Sequence, residues 1–117
     1  MSESVELDLR RERAAKNQSL FREVNERINE LSPSATIPRF ICECTDEACD
    51  QALRLTRPGY ERIRSDSNSF FVVPGHEIPE IEQIIESTEE YVVVAKLGTG
   101  GVVAAHLDPR KRPRPSP

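Results

Sequence analysis

All three cysteines of this chain fall within one eight-residue stretch, Cys42-Glu43-Cys44-Thr45-Asp46-Glu47-Ala48-Cys49. No other thiol occurs among its 117 residues, so this cluster limits the fold more than any other feature. Disulfides account for it poorly. Three is an odd number, and the N-terminal stretch has no apolar run of signal-peptide length, which points to a reducing, cytoplasmic setting. A soft divalent ion accounts for it better. Zinc takes four sulfur or nitrogen ligands in a tetrahedron, with a metal–sulfur distance of about 2.3 Å. On a strand, Cys42 and Cys44 point the same way, about 6.6 Å apart by strand rise, so the backbone must curl for both to meet one ion. Cys49 is expected to enter from the first turn of a following helix, whose positive end favours a thiolate.

The fourth ligand must come from elsewhere, and the chain has two histidines. His76 follows Pro74-Gly75, where a strand ends in a sharp turn, and is well placed to reach across to the cysteines. His106 lies late in the last expected strand and is the alternative. Three thiolates and one imidazole close the shell, the mark of a structural zinc. Such a staple suits a domain of about seventy residues in a chain with only four Phe, two Tyr and no Trp. Two other accounts stay open. Cys49 can be a core residue beside Ala48, Ala52 and Leu53, with the other two thiols incidental. A Cys42–Cys44 pair can act as a strained, labile disulfide in a thiol redox sensor.

Catalytic patterns are missing. An open site with Glu43 or Glu77 as base is conceivable on paper, but the deaminase pattern H-x-E…P-C-x-x-C, the H-E-x-x-H pattern and G-x-S-x-G are all absent. Gly98-Thr99-Gly100-Gly101 lacks the lysine of a phosphate-binding loop and reads as a hairpin turn. The acidic run around Glu80, Glu82, Glu86, Glu89 and Glu90 reads as a solvated helix face. The expectation is a non-enzymatic protein.

Residues 1–38 are expected to form a long amphipathic helix and a linker. Phe21, Val24, Ile28 and Leu31 recur at three- and four-residue intervals and form one stripe, offered either to the chain's own domain or to a partner protein or second copy. Residues 39–108 should form a small α+β domain. Its expected order is a strand at Phe40 to Cys44, a short helix capped by Thr45, and a second after Thr56 carrying Tyr60 and Ile63. A strand at Phe70 to Val73, a third helix from Pro79 with Ile81, Ile84 and Ile85 inward, and a C-terminal hairpin of Tyr91 to Leu97 and Val102 to His106 complete it. Residues 109–117 read as a disordered, basic, proline-rich tail.

Charge is unevenly spread. Residues 1–31 carry a net −1, residues 32–109 a net −7 and residues 110–117 a net +4, for −4 in total. The acidic body repels a phosphate backbone, whereas Arg110, Lys111, Arg112 and Arg114 make the tail a weak, salt-sensitive arm for nucleic acid, an alternative to the protein-partner reading. No apolar run approaches the length of a membrane span.

Three segments together, Ser19 to Ile28 (SLFREVNERI), Phe40 to Cys44 (FICEC) and Phe71 to Glu77 (FVVPGHE), carry a resemblance. The chain resembles an uncharacterised family of small actinobacterial proteins with LFREVNERI, CECxxxxC, a YExxR helix and a PGHE turn, over about residues 14–96. The resemblance implies a shared set of three cysteines and one histidine at Cys42, Cys44, Cys49 and His76, and brings no activity with it. The combined expectation is a zinc-binding adaptor or regulatory module.

Overall fold

A computed structural model describes residues 3–33, 36–46 and 48–111. The elements run α1 (Glu3–Leu31), β1 (Arg39–Ile41), β2 (Ala52–Arg54), α2 (Arg57–Arg64), β3 (Ser69–Val72), β4 (Glu82–Ser87), β5 (Val92–Lys96) and α3 (Thr99–His106). The class is α+β, with a long N-terminal helix ahead of small antiparallel sheets. One sheet is the pair β1–β2; the other has the order β3-β5-β4.

The central strands are apolar on both faces because both faces are covered. Phe70 and Val72 of β3 and Val92 and Val94 of β5 face one cluster, with Ala15 of α1, Ala104 of α3, Cys42 and Cys44. The alternate residues Phe71 and Val93 face a second cluster with Phe40, Leu53, Tyr60 and Ile63. Period-two alternation sends neighbouring side chains to opposite faces. In the second cluster Phe40 and Tyr60 stack with centroids 4.4 Å apart, and Phe71 meets both edge-on. The helix expected after Thr56 is α2. The Thr56 side chain accepts from the Gly59 N–H, and Pro58 suits its first turn.

α1 docks on its own chain, against α3 and β1. The buried face is not the apolar stripe. It is Ala14, Ala15, Gln18, Ser19, Arg22 and Asn25. Small alanines let α3 come close: a Cβ on Gly100 would meet the Arg11 carbonyl oxygen at 3.0 Å. Phe21 and Ile28 lie half-buried at the margin, while Val24 and Leu31 are 47% and 69% exposed.

Three expected elements differ. The helix expected after Thr45 is a turn followed by β2. The Asp46 carboxylate accepts the Ala48 N–H at 2.9 Å, and Phe40 then pairs with Leu53 across an antiparallel ladder. The helix expected from Pro79 is β4. Its Ile81/Ile84/Ile85 spacing fits a helix turn, yet the segment pairs with β5 through a register shift between Ile84 and Glu86. Ile81 is buried, while Ile84 and Ile85 are half-exposed instead of inward. The expected strand at Val102 to His106 is α3, so the hairpin is formed by β4 and β5, one element earlier. Glu82 accordingly lies inside the fold, not on a solvated helix face.

Candidate metal centre

Cys42 directly follows β1, and its N–H donates to the Gln51 carbonyl, prolonging the β1–β2 pairing. The chain then reverses. A turn from Asp46, closed by the Cys49 N–H on the Asp46 carbonyl at 3.0 Å, brings Cys49 back beside Cys42. After β3, Val73-Pro74-Gly75-His76 forms a turn closed by the His76 N–H on the Val73 carbonyl at 2.9 Å. Gly75 has φ +95°, the left-handed value a type II turn needs after proline, so a side chain there is strained. The Glu77 carboxylate accepts the Gly75 N–H and so braces this turn.

The turn delivers His76 to the cysteines. Its Nδ1 lies 3.5 Å from the Cys42 Sγ and 3.6 Å from the Cys49 Sγ. The four ligand atoms of Cys42, Cys44, Cys49 and His76 all lie within 4.8 Å of one another, and the thiols are free. A tetrahedral zinc with ordinary bond lengths sets sulfur–nitrogen edges of about 3.6 Å and sulfur–sulfur edges of about 3.8 Å. The imidazole contacts already match, and the widest pair needs to close by about 1 Å. The Val73 N–H donates to the Cys42 sulfur at 3.2 Å, a contact that favours a thiolate. Burial pushes the Cys42 and Cys44 thiols above their ordinary range, so in the absence of a cation they stay neutral and poorly reactive. His106 ends α3 and is not in the group.

Between the two cysteines, Glu43 points the other way and is fully buried. Its carboxylate receives both arms of the Arg64 guanidinium at 2.8 Å each, the Asn25 amide at 2.7 Å and the Phe71 N–H at 3.2 Å. Burial alone would lower the Arg64 guanidinium, but the facing carboxylate outweighs it. Gln18 of α1 donates to the Glu43 carbonyl at 2.7 Å. Asn25 also exchanges two hydrogen bonds with the Ile41 backbone, standing in for a neighbouring strand. A second buried pair, Lys96–Glu82 at 2.7 Å, joins β5 to β4. The pairing of these residues escaped sequence reasoning, since a lone Glu, Arg or Asn carries no sign of its partner. The one available signal is alternation, which sends Glu43 inward once Cys42 and Cys44 share a side.

The tail residues divide. Arg110 is held by Glu26 and Glu61 at 2.9 and 2.7 Å, whereas Lys111 is exposed. Arg112 and Arg114, with the rest of the tail expectation, lie outside the described residues. No helix among the described residues is long and apolar enough to cross a membrane. Protein-family models, curated proteins and solved structures were each compared with the chain, and none matches it.

Proposed function

We propose that this chain is a zinc-stapled, non-enzymatic adaptor or regulatory module of a reducing, cytoplasmic compartment. The observation that carries the metal reading is the convergence of three thiols and the His76 Nδ1 within 4.8 Å, from segments up to 34 residues apart. Zinc fits this donor set through its tetrahedral preference, and a Cys3His shell leaves no position for a substrate. Supplied by thiolate charge and fixed by the Pro74-Gly75 turn, the ion would tie the cysteine loop to the end of β3. Glu43, locked by Arg64, and Glu77, committed to the Gly75 N–H, are both engaged in holding structure, which supports a structural over a catalytic role.

On this reading the CECxxxxC and PGHE segments that resemble small actinobacterial proteins are the metal-binding part of that pattern. The outward side of α1, where Leu20, Val24 and Leu31 stay exposed although the helix is docked, is the surface offered to a protein partner or a second copy.

Metal content by mass spectrometry, on protein purified without a polyhistidine tag and paired with a thiol count, tests the site. One zinc per chain with three protected thiols is expected. No metal, with three thiols that react once the chain is unfolded, overturns the reading and favours a core-cysteine scaffold.

A further inference from the structure

Two shallow cavities of about 230 Å³ each meet along Thr45 and Ile78. Together they form one trough between α1 and the cysteine loop. One end reaches Cys44 and His76. The other is walled by Arg10, Arg13 and Asn17 of α1, over a floor that includes Ala14 and Ile81.

The trough has donors to spare. Arg13 forms no ion pair, and the Asn17 amide no hydrogen bond, with any described residue. Arg10 is paired at 2.9 Å with Glu80, but both side chains are more than half exposed, so water weakens that pair. On the acceptor side, an Asp46 carboxylate oxygen already takes the Ala48 N–H. A free guanidinium beside an amide and a hydroxyl suits a carboxylate or phosphate, which arginine holds with two parallel hydrogen bonds. The floor of Ala14, Ile78 and Ile81 suits a short apolar body. Each cavity alone is smaller than a pocket for a drug-sized ligand, and the two together, at most about 460 Å³, reach only the low end of that range, which suits a small molecule.

We infer that this trough is a binding site for a small anion, a carboxylate or phosphate head on a short apolar chain. Arg13 and Asn17 grip the head, and Ala14, Ile78 and Ile81 carry the chain. The inference goes beyond the zinc reading: both gripping residues stand on α1, while Thr45 and Ile78 rely on the fold that the zinc reading staples.

Amide chemical-shift titration of the full chain tests it, with inorganic phosphate, butyl phosphate and pentanoate at an ionic strength held by sodium chloride. Butyl phosphate or pentanoate should produce saturable shifts at Arg13, Asn17 and Thr45, at least fivefold tighter than inorganic phosphate. The tighter of the two identifies the head group. Arg13→Gln with Asn17→Ala should weaken binding about tenfold, comparable to losing a charge-assisted hydrogen bond, while Arg27→Gln, outside the trough, leaves it unchanged. Absence of saturable shifts, equal affinity for inorganic phosphate, or indifference to the Arg13/Asn17 change overturns the site. Metal content measured on the same sample separates the two readings: a chain that holds no metal and still binds the anion sinks the zinc reading alone.

Discussion

The two sides of the Cys42–Cys44 segment solve one problem in opposite ways. Each places a potential negative charge out of water. On one side the thiols of Cys42 and Cys44 are buried in an apolar cluster, with the His76 imidazole beside Cys42, and burial favours their neutral form. On the other, Glu43 meets the Arg64 guanidinium brought by α2, and the pair is more than 98% removed from solvent. On the zinc reading the thiol side is completed by an ion; the carboxylate side is complete on folding. Because the two alternate along three residues, whatever orders the cysteines also sets Glu43 against Arg64, Asn25 and Gln18. The seating of α1 is therefore linked to the metal site through the backbone itself.

The sharpest break of this contrast is Cys44→Ser. A structural zinc couples binding to folding, and small domains are stable by only about 5–15 kcal/mol. The variant should lose cooperative thermal unfolding followed by circular dichroism. A variant that melts like the parent, with chelator present in both, would show the thiol side to be dispensable.

Removing the built-in cation comes next. Arg64→Met should destabilise the fold by about 3–5 kcal/mol in urea denaturation, because Glu43 is left charged and unpaired. Glu43→Leu added to Arg64→Met should recover much of that loss, since two apolar groups need no partner. A double variant worse than the single one would mean that Glu43 earns its place through Asn25 and Phe71 instead.

Asp108 gives a smaller, pH-dependent version of the same arrangement. Burial raises its carboxyl, but the Ser67 hydroxyl at 2.7 Å and the Arg110 N–H outweigh this and hold it below its ordinary 3.8. A carboxyl depressed by folding adds stability above that ordinary value, and the gain is lost as pH falls through the lower folded value. Asp108→Asn should therefore lower stability at neutral pH and flatten its decline below about pH 4, read as melting temperature against pH. The smallest effect is expected at Arg110, whose partners Glu26 and Glu61 are partly in water. Arg110→Ala should cost up to about 1 kcal/mol, and less in high salt. A larger, salt-independent loss would place it with the buried pairs.

The cluster of three cysteines and His76 was legible in the sequence because its evidence is local and chemical. Cys42, Cys44 and Cys49 are clustered by spacing, and Pro74-Gly75 announces the turn that swings His76 around. α1, α2, β3 and β5 were legible for the same reason, through periodicity, the Thr56 cap and apolar runs. What tertiary structure decided are the cases where local preference was weak or divided. Val102 and Val103, β-branched and preceded by Gly100 and Gly101, favour a strand by propensity. They form α3 because the bare Gly100 lets this segment close on the Arg11 backbone. Ile81, Ile84 and Ile85 match a helical spacing, but β5 needs a partner on its second edge and Lys96 needs a buried carboxylate opposite, which Glu82 supplies. The α1 stripe shows the limit best. Hydrophobicity alone picked out Val24 and Leu31 as part of a packing stripe, for the domain or for a partner, yet the face docked on the domain is the one whose alanines fit close and whose Gln18, Arg22 and Asn25 satisfy buried backbone carbonyls. Hydrogen-bond partners distant in sequence outweigh apolar pattern there, because a buried polar group without a partner costs more than an exposed methyl gains.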